Sequence, residues 1–118
     1  MSYDLELYDP ATGEVCILDA PHQIKGGTYV LGGTDKAELN ITYNYCKHFQ
    51  RVLGKKGIRT IYGMTGAESI PLLNQAIQQL GDDYSEDYWA ATEGNAKRAL
   101  RQVKALAQLR PDGVWQGD

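Results

Sequence analysis

Near the start of the chain, apolar and polar positions alternate. Leu5 and Leu7 fall on one side, and Asp4, Glu6 and Tyr8 on the other, which is the period of a half-buried strand. Turn-forming residues follow in Asp9-Pro10-Ala11-Thr12-Gly13-Glu14, and then the short β-branched run Val15-Cys16-Ile17-Leu18. Two strands about a turn predict a β-hairpin over residues 3–18. A lone hairpin is marginal in water, so its apolar face needs a further layer. Beyond Pro21, two Gly-Gly-Thr triplets flank Tyr29-Val30-Leu31, a candidate third strand.

From here the pattern lengthens to the helical period. Thr34 or Asp35 is placed to cap a helix, with Glu38 as a loose capping-box partner. Leu39, Tyr43, Cys46, Phe49 and Leu53 share one helical stripe, so a helix is predicted over 35–53, stopped by Gly54 and Gly57. Leu39, Ile41, Tyr43 and Tyr45 also alternate against Asn40, Thr42 and Asn44, a competing strand signature. Residues 58–62 are too few to classify. Thr65-Gly66-Ala67-Glu68 is a full capping box and opens a helix over 66–80 with Ile70, Leu73, Ile77 and Leu80 inward; Pro71 predicts a kink or restart. Ser85, with Glu86 and Asp87 after it, predicts a short capped helix. Thr92 opens the last helix, over 93–109, with Ala96, Ala99, Leu100, Val103, Leu106 and Ala107 inward. Arg110-Pro111-Asp112-Gly113 ends it, and the tail is expected to fold back and bury Trp115. Strands followed by helices read as an α+β fold, an N-terminal β-hairpin or small antiparallel sheet packed against three to four helices.

Composition narrows the class without changing that picture. At 118 residues the chain is read as a single domain, long enough to bury a core unaided. A net charge of −3 argues against a generic nucleic-acid binder. No stretch approaches the ~20 apolar residues of a membrane span, and no secretory leader opens the chain, so a cytoplasmic location is expected. Cys16 and Cys46 are then expected as reduced thiols, with Cys46 in the core. His22 and His48 are the only histidines, and Cys46-x-His48 lacks zinc-site spacing; no metal or cofactor is indicated.

The charge is unevenly spread. Lys47, Arg51, Lys55, Lys56 and Arg59 lie in a stretch free of acids, and Lys97, Arg98, Arg101 and Lys104 repeat the pattern on the last helix. Between them Asp82, Asp83, Glu86, Asp87 and Glu93 form an acidic segment without a base. Aromatic usage favours rings with polar handles: eight Tyr and two Trp against one Phe. Rings beside cations suit a nucleotide, with Tyr43, Tyr45 and Trp89 stacking, Asn40, Asn44 and Asn95 reading polar edges, and Arg51, Arg59 and Arg98 meeting phosphate. Backbone N–H groups near Gly33 are a further anion candidate; Gly27-x4-Gly32 lacks the Lys-Ser/Thr of a phosphate loop. Gly94, within a first helical turn, implies close approach by another element or a ligand.

The stretches Gly26-Gly27-Thr28-Tyr29, Asn40-Ile41-Thr42-Tyr43-Asn44-Tyr45, Tyr62-Gly63-Met64-Thr65-Gly66-Ala67-Glu68-Ser69-Ile70-Pro71, Thr92-Glu93-Gly94-Asn95-Ala96-Lys97 and Arg110-Pro111-Asp112-Gly113-Val114-Trp115 resemble small uncharacterised proteins encoded by bacteriophages and prophages. The resemblance implies an anti-defence role in a host cytoplasm. The expected function is a non-enzymatic, homo-oligomeric sponge that sequesters a small anionic nucleotide-like signal. The alternatives are an anti-CRISPR-like protein that inhibits a host defence nuclease through the acidic segment 82–87, and a small nucleotide hydrolase using Glu68 or Glu93.

Overall fold

The computed structural model describes residues 2–22 and 34–118. Within them the chain is α+β: a three-stranded and a two-stranded antiparallel sheet with three α-helices. The Gly-Gly-Thr repeats up to Gly33, the candidate strand at Tyr29–Leu31 and the anion candidate at Gly33 lie outside the described residues.

Strand β1 (Ser2–Tyr8) is the middle of the larger sheet. Its alternation holds, with Tyr3, Leu5 and Leu7 buried. Its partners come from far along the chain. Strand β4 (Glu38–Thr42) pairs on one side, setting Tyr3 opposite Ile41 and Leu5 opposite Leu39. Strand β5 (Val114–Gly117) pairs on the other, setting Leu7 opposite Trp115. These side chains make one buried apolar face.

The hairpin expected over 3–18 forms only at its turn. Asp9 N donates to Glu14 O at 2.7 Å, Gly13 takes φ +74°, and Tyr8 bridges Val15. The strands then part. Cys16 N donates to Leu7 O, Ala37 N to Cys16 O and Leu7 N to Ala37 O, a closed triangle of backbone bonds at 2.8–2.9 Å. Beyond it β2 (Ile17–His22) pairs with β3 (Thr34–Lys36) as the second sheet.

The helix expected over 35–53 is corrected by that pairing. Residues 34–36 and 38–42 are strand, Tyr43–Tyr45 is a 3-10 turn, and helix α1 runs only from Cys46 to Leu53. The alternation wins because β1 needs a partner edge, and Leu39 and Ile41 complete its buried face. Thr34 Oγ1 accepts from Lys36 N within the strand rather than capping a helix. Lys55 lies past the Gly54 C-cap, so of the basic stretch 47–59 only Lys47 and Arg51 lie on α1.

Helices α2 (Gly66–Gln78) and α3 (Glu93–Leu109) keep their predicted places. The capping box is complete: Glu68 N donates to Thr65 Oγ1 at 3.1 Å and Thr65 N to Glu68 Oε1 at 3.0 Å. α2 continues through Pro71, which is exposed, without restarting. The tail returns as β5, and the Trp115 indole N–H donates to Ser69 Oγ in the core at 2.9 Å, tying α2 to the sheet. Both cysteines are free; Cys46, expected in the core, is half-buried, whereas Cys16 is buried, and burial raises its thiol pKa. No helix among the described residues is long and apolar enough to cross a membrane.

Candidate functional site

The short helix expected after Ser85 is absent; residues 81–92 form an irregular segment between α2 and α3. Local side chains take over its backbone groups. Ser85 Oγ accepts from Asp87 N at 3.1 Å, and Asp87 Oδ1 accepts from Trp89 N at 3.0 Å. The rest is organised from α3. Thr92 caps the helix through Asn95 N, and the buried Asn95 side chain faces back to the segment. Its amide donates to Asp87 O and Ala90 O, both at 3.0 Å, and its oxygen accepts from Ser85 N at 2.9 Å. Gly94 explains itself here: a Cβ would lie 2.6 Å from Tyr84 N and 2.7 Å from Asp83 C. The close neighbour is the segment's own backbone.

The far side is fixed to β4 and α1. Tyr45 is buried and donates its hydroxyl to Tyr88 O. Thr42 N, at the end of β4, donates to the Tyr88 hydroxyl at 2.6 Å. Asn44 Nδ2 donates to Trp89 O at 2.8 Å, and His48 Nε2 to Ala91 O at 2.8 Å. Burial pushes the Tyr45 hydroxyl up to about 12, with the nearby Arg98 pulling the other way. Ion pairs close the ends: Arg51 to Glu93 and Lys97 to Asp82, each at 2.7 Å.

Against this held backbone two rings stand out. Tyr84 is 43% exposed and Trp89 56%. Tyr84 already has Arg98 over its ring at 6.0 Å and Arg101 donating to its hydroxyl at 2.9 Å. Trp89 packs one side on Tyr88, with centroids 4.8 Å apart, and has no cation over its ring among the described residues. Asp83, Glu86 and Asp87 are exposed beside them.

Of the residues singled out from sequence, Asn44, Tyr45, Arg51, Trp89, Asn95 and Arg98 gather round this segment. All but Trp89 spend polar side-chain groups on the fold; Arg98 donates to Asn95 Oδ1 at 3.2 Å. The other three collect at the sheet end. Asn40 donates to Ser2 Oγ at 2.8 Å and Asp4 Oδ1 at 2.5 Å. Tyr43 stacks edge-on with Tyr3 at 4.3 Å. Arg59 lies over both rings and donates to Tyr43 Oη at 2.6 Å and Asp118 O at 2.8 Å. Tyr88, His48 and Thr42 were not singled out as site residues, since single residues this distant in sequence give no sign of meeting. Glu68 is bound in its capping box, which lowers its pKa through the Thr65 backbone N–H and then its hydroxyl.

An open groove of about 290 Å³ over β1 and β4 is lined by Asp4, Leu5, Glu6, Glu38, Leu39 and Asn40; its carboxylates suit no anion. A shallower one lies between Tyr8, Pro10 and Val114. Neither takes in Arg51, Arg59 or Arg98. Among the described residues no group of His, Cys, Asp and Glu is placed to hold a metal. Compared with family models, curated proteins and solved structures, the chain matches none.

Proposed function

We propose that the chain is a protein-binding module whose contact surface is the segment 81–92, directed at a partner with a basic face. The observation that carries this is Trp89, 56% exposed on a backbone fixed by the buried Asn95. An indole left in water at a fixed position is costly for folding and useful for association, where Trp and Tyr supply most hot spots. A backbone already ordered loses little further entropy on binding. The neighbouring carboxylates Asp83, Glu86 and Asp87 steer a cationic surface and disfavour an anionic one. With the resemblance to phage proteins, the partner class is a nucleic-acid-cleaving defence enzyme, engaged at its basic groove.

The sponge reading has less support, because Arg51, Arg59 and Arg98 are already engaged by Glu93, Tyr43 and Asn95. The test is calorimetry of the full chain against a panel of nucleases with basic grooves and, separately, against linear and cyclic nucleotides. Nuclease binding that weakens with salt and drops at least ~100-fold in Trp89→Ala is expected, in line with a hot-spot residue. Nucleotide uptake without nuclease binding overturns the reading.

A further inference from the structure

We infer that the partner enters this surface with an arginine, its guanidinium stacked on the open face of Trp89 and its N–H groups directed to the Asp87 and Glu86 carboxylates. The inference rests on the protein-binding reading above and specifies its partner side chain.

Among the described residues the Trp89 ring meets one other ring. Tyr88 backs it at 4.8 Å with a 60° interplanar angle, and the Tyr88 hydroxyl is itself held by Thr42 N. The opposite face has no ring contact or cation among the described residues. An indole face is the strongest aromatic site for a cation.

The charge beside it in the chain has the right sign. Asp87 Oδ1 accepts from Trp89 N, which keeps that carboxylate against the Trp89 backbone. No hydrogen bond from a described residue reaches Asp87 Oδ2 or the Glu86 carboxylate. Elsewhere on the segment Asp82 and Glu93 are occupied by Lys97 and Arg51. The carboxylates nearest Trp89 in the chain are thus, like Asp83, without an ion pair among the described residues.

Arginine fits this pair better than lysine. A planar guanidinium stacks on a ring and still presents N–H groups at its edge to a carboxylate, whereas an ammonium is a strongly hydrated point charge. The molecule uses the same pairing internally. Arg59 lies over the Tyr3 and Tyr43 rings while donating to a hydroxyl, and Arg98 lies over Tyr84 while donating to Asn95. Tyr84 is therefore taken, and Trp89 is the open member of the pair.

The experiment titrates the full chain with two peptides of equal length and charge, one an arginine–glycine repeat and the other a lysine–glycine repeat, followed by calorimetry and tryptophan emission. Tighter binding of the arginine peptide by about 10-fold is expected. Trp89→Ala should abolish that preference, and Asp87→Asn, which keeps an oxygen to cap Trp89 N, should weaken arginine binding while leaving the thermal midpoint nearly unchanged. Equal affinity for the two peptides, a preference that survives Trp89→Ala, or no binding of either overturns the inference. If neither peptide binds while Trp89→Ala still abolishes nuclease binding, the arginine contact fails and the protein-binding reading stands. Loss of nuclease binding in all forms fails the reading itself.

Discussion

Arg51 Nη2 lies 2.7 Å from Glu93 Oε1, and the same Glu93 oxygen accepts from Gly81 N at 3.1 Å. One carboxylate thus joins α1, the end of α2 and the start of α3. Its two bonds are unequal in consequence. Arg51 is half exposed, and exposed pairs contribute about 0.2–1 kcal/mol. Glu93 also caps a backbone donor and sits in the first turn of α3, where a negative charge is favourable. Urea unfolding should show Arg51→Ala costing under about 1 kcal/mol and Glu93→Ala costing about 1–2 kcal/mol. Equal losses would mean that the ion pair carries the whole effect.

This pair also marks what was legible in the sequence. Local signals carried the helices: the Thr65–Glu68 box and the Thr92 cap act within a few residues, and both formed. The apolar period carried β1 and the burial of Trp115. Pairing was less legible. The nearest apolar run to β1 is 15–18, yet β1 lies between residues 38–42 and 114–117, because only β4 and β5 complete its face. In 39–45 two periods fit the same letters, and the neighbouring strand decided between them. At the candidate site, Arg51 stood out as a cation in a stretch free of acids, and Asn95 as an amide in a helical first turn. Their partners came from the segment 81–93, which sequence spacing cannot place.

Gly94→Ala sets two effects against each other. Alanine in a helix gains about 1 kcal/mol over glycine. The new methyl would sit 2.6 Å from Tyr84 N and 2.7 Å from Asp83 C, backbone atoms that cannot swing aside. Overpacking of this kind costs about 1–3 kcal/mol or more, and it also strains the bond from Gly94 N to Asp83 Oδ1. The clash should win, with a lower thermal midpoint. A raised midpoint would show that the segment yields at little cost.

Alkaline pH should unfold the protein through its tyrosines. Burial is the leading cause that pushes Tyr45 and Tyr62 from the ordinary 10 up to about 12. The native state then holds its protons over a range where the unfolded chain has lost them. The stability they contribute is fully present below pH 10 and is lost as pH rises from 10 towards 12. Tyrosinate absorbance and far-ultraviolet dichroism should therefore change together in that window. Tyr45→Phe should shift the transition upward in pH, although it also loses the bond to Tyr88 O. Full ionisation of every tyrosine near pH 10 with the fold intact would refute the burial argument.

Asn95 offers the sharpest separation of fold from surface. Its side chain is buried, accepts from Arg98, and holds Ser85 N, Asp87 O and Ala90 O. Asn95→Ala leaves those three backbone groups without their partner. Each such loss costs about 1–3 kcal/mol when fully buried; these are partly wet, so a total of about 2–4 kcal/mol is expected. The damage should stay local, because the apolar core of α3, from Ala99 to Ala107, is untouched. Hydrogen exchange should quicken across 81–92 while the amides of α2 and the middle of α3 remain protected. Asn95→Asp distinguishes the two halves of the amide: it keeps an acceptor for Ser85 N but sets a carboxylate against two carbonyl oxygens, so it should be no better than alanine. Partner affinity should fall in both variants with Trp89 unchanged, because a loosened segment must be ordered again on binding. If exchange across 81–92 stays slow in Asn95→Ala, the segment is held by Tyr88 and Asn44 instead, and the role given to Asn95 is wrong.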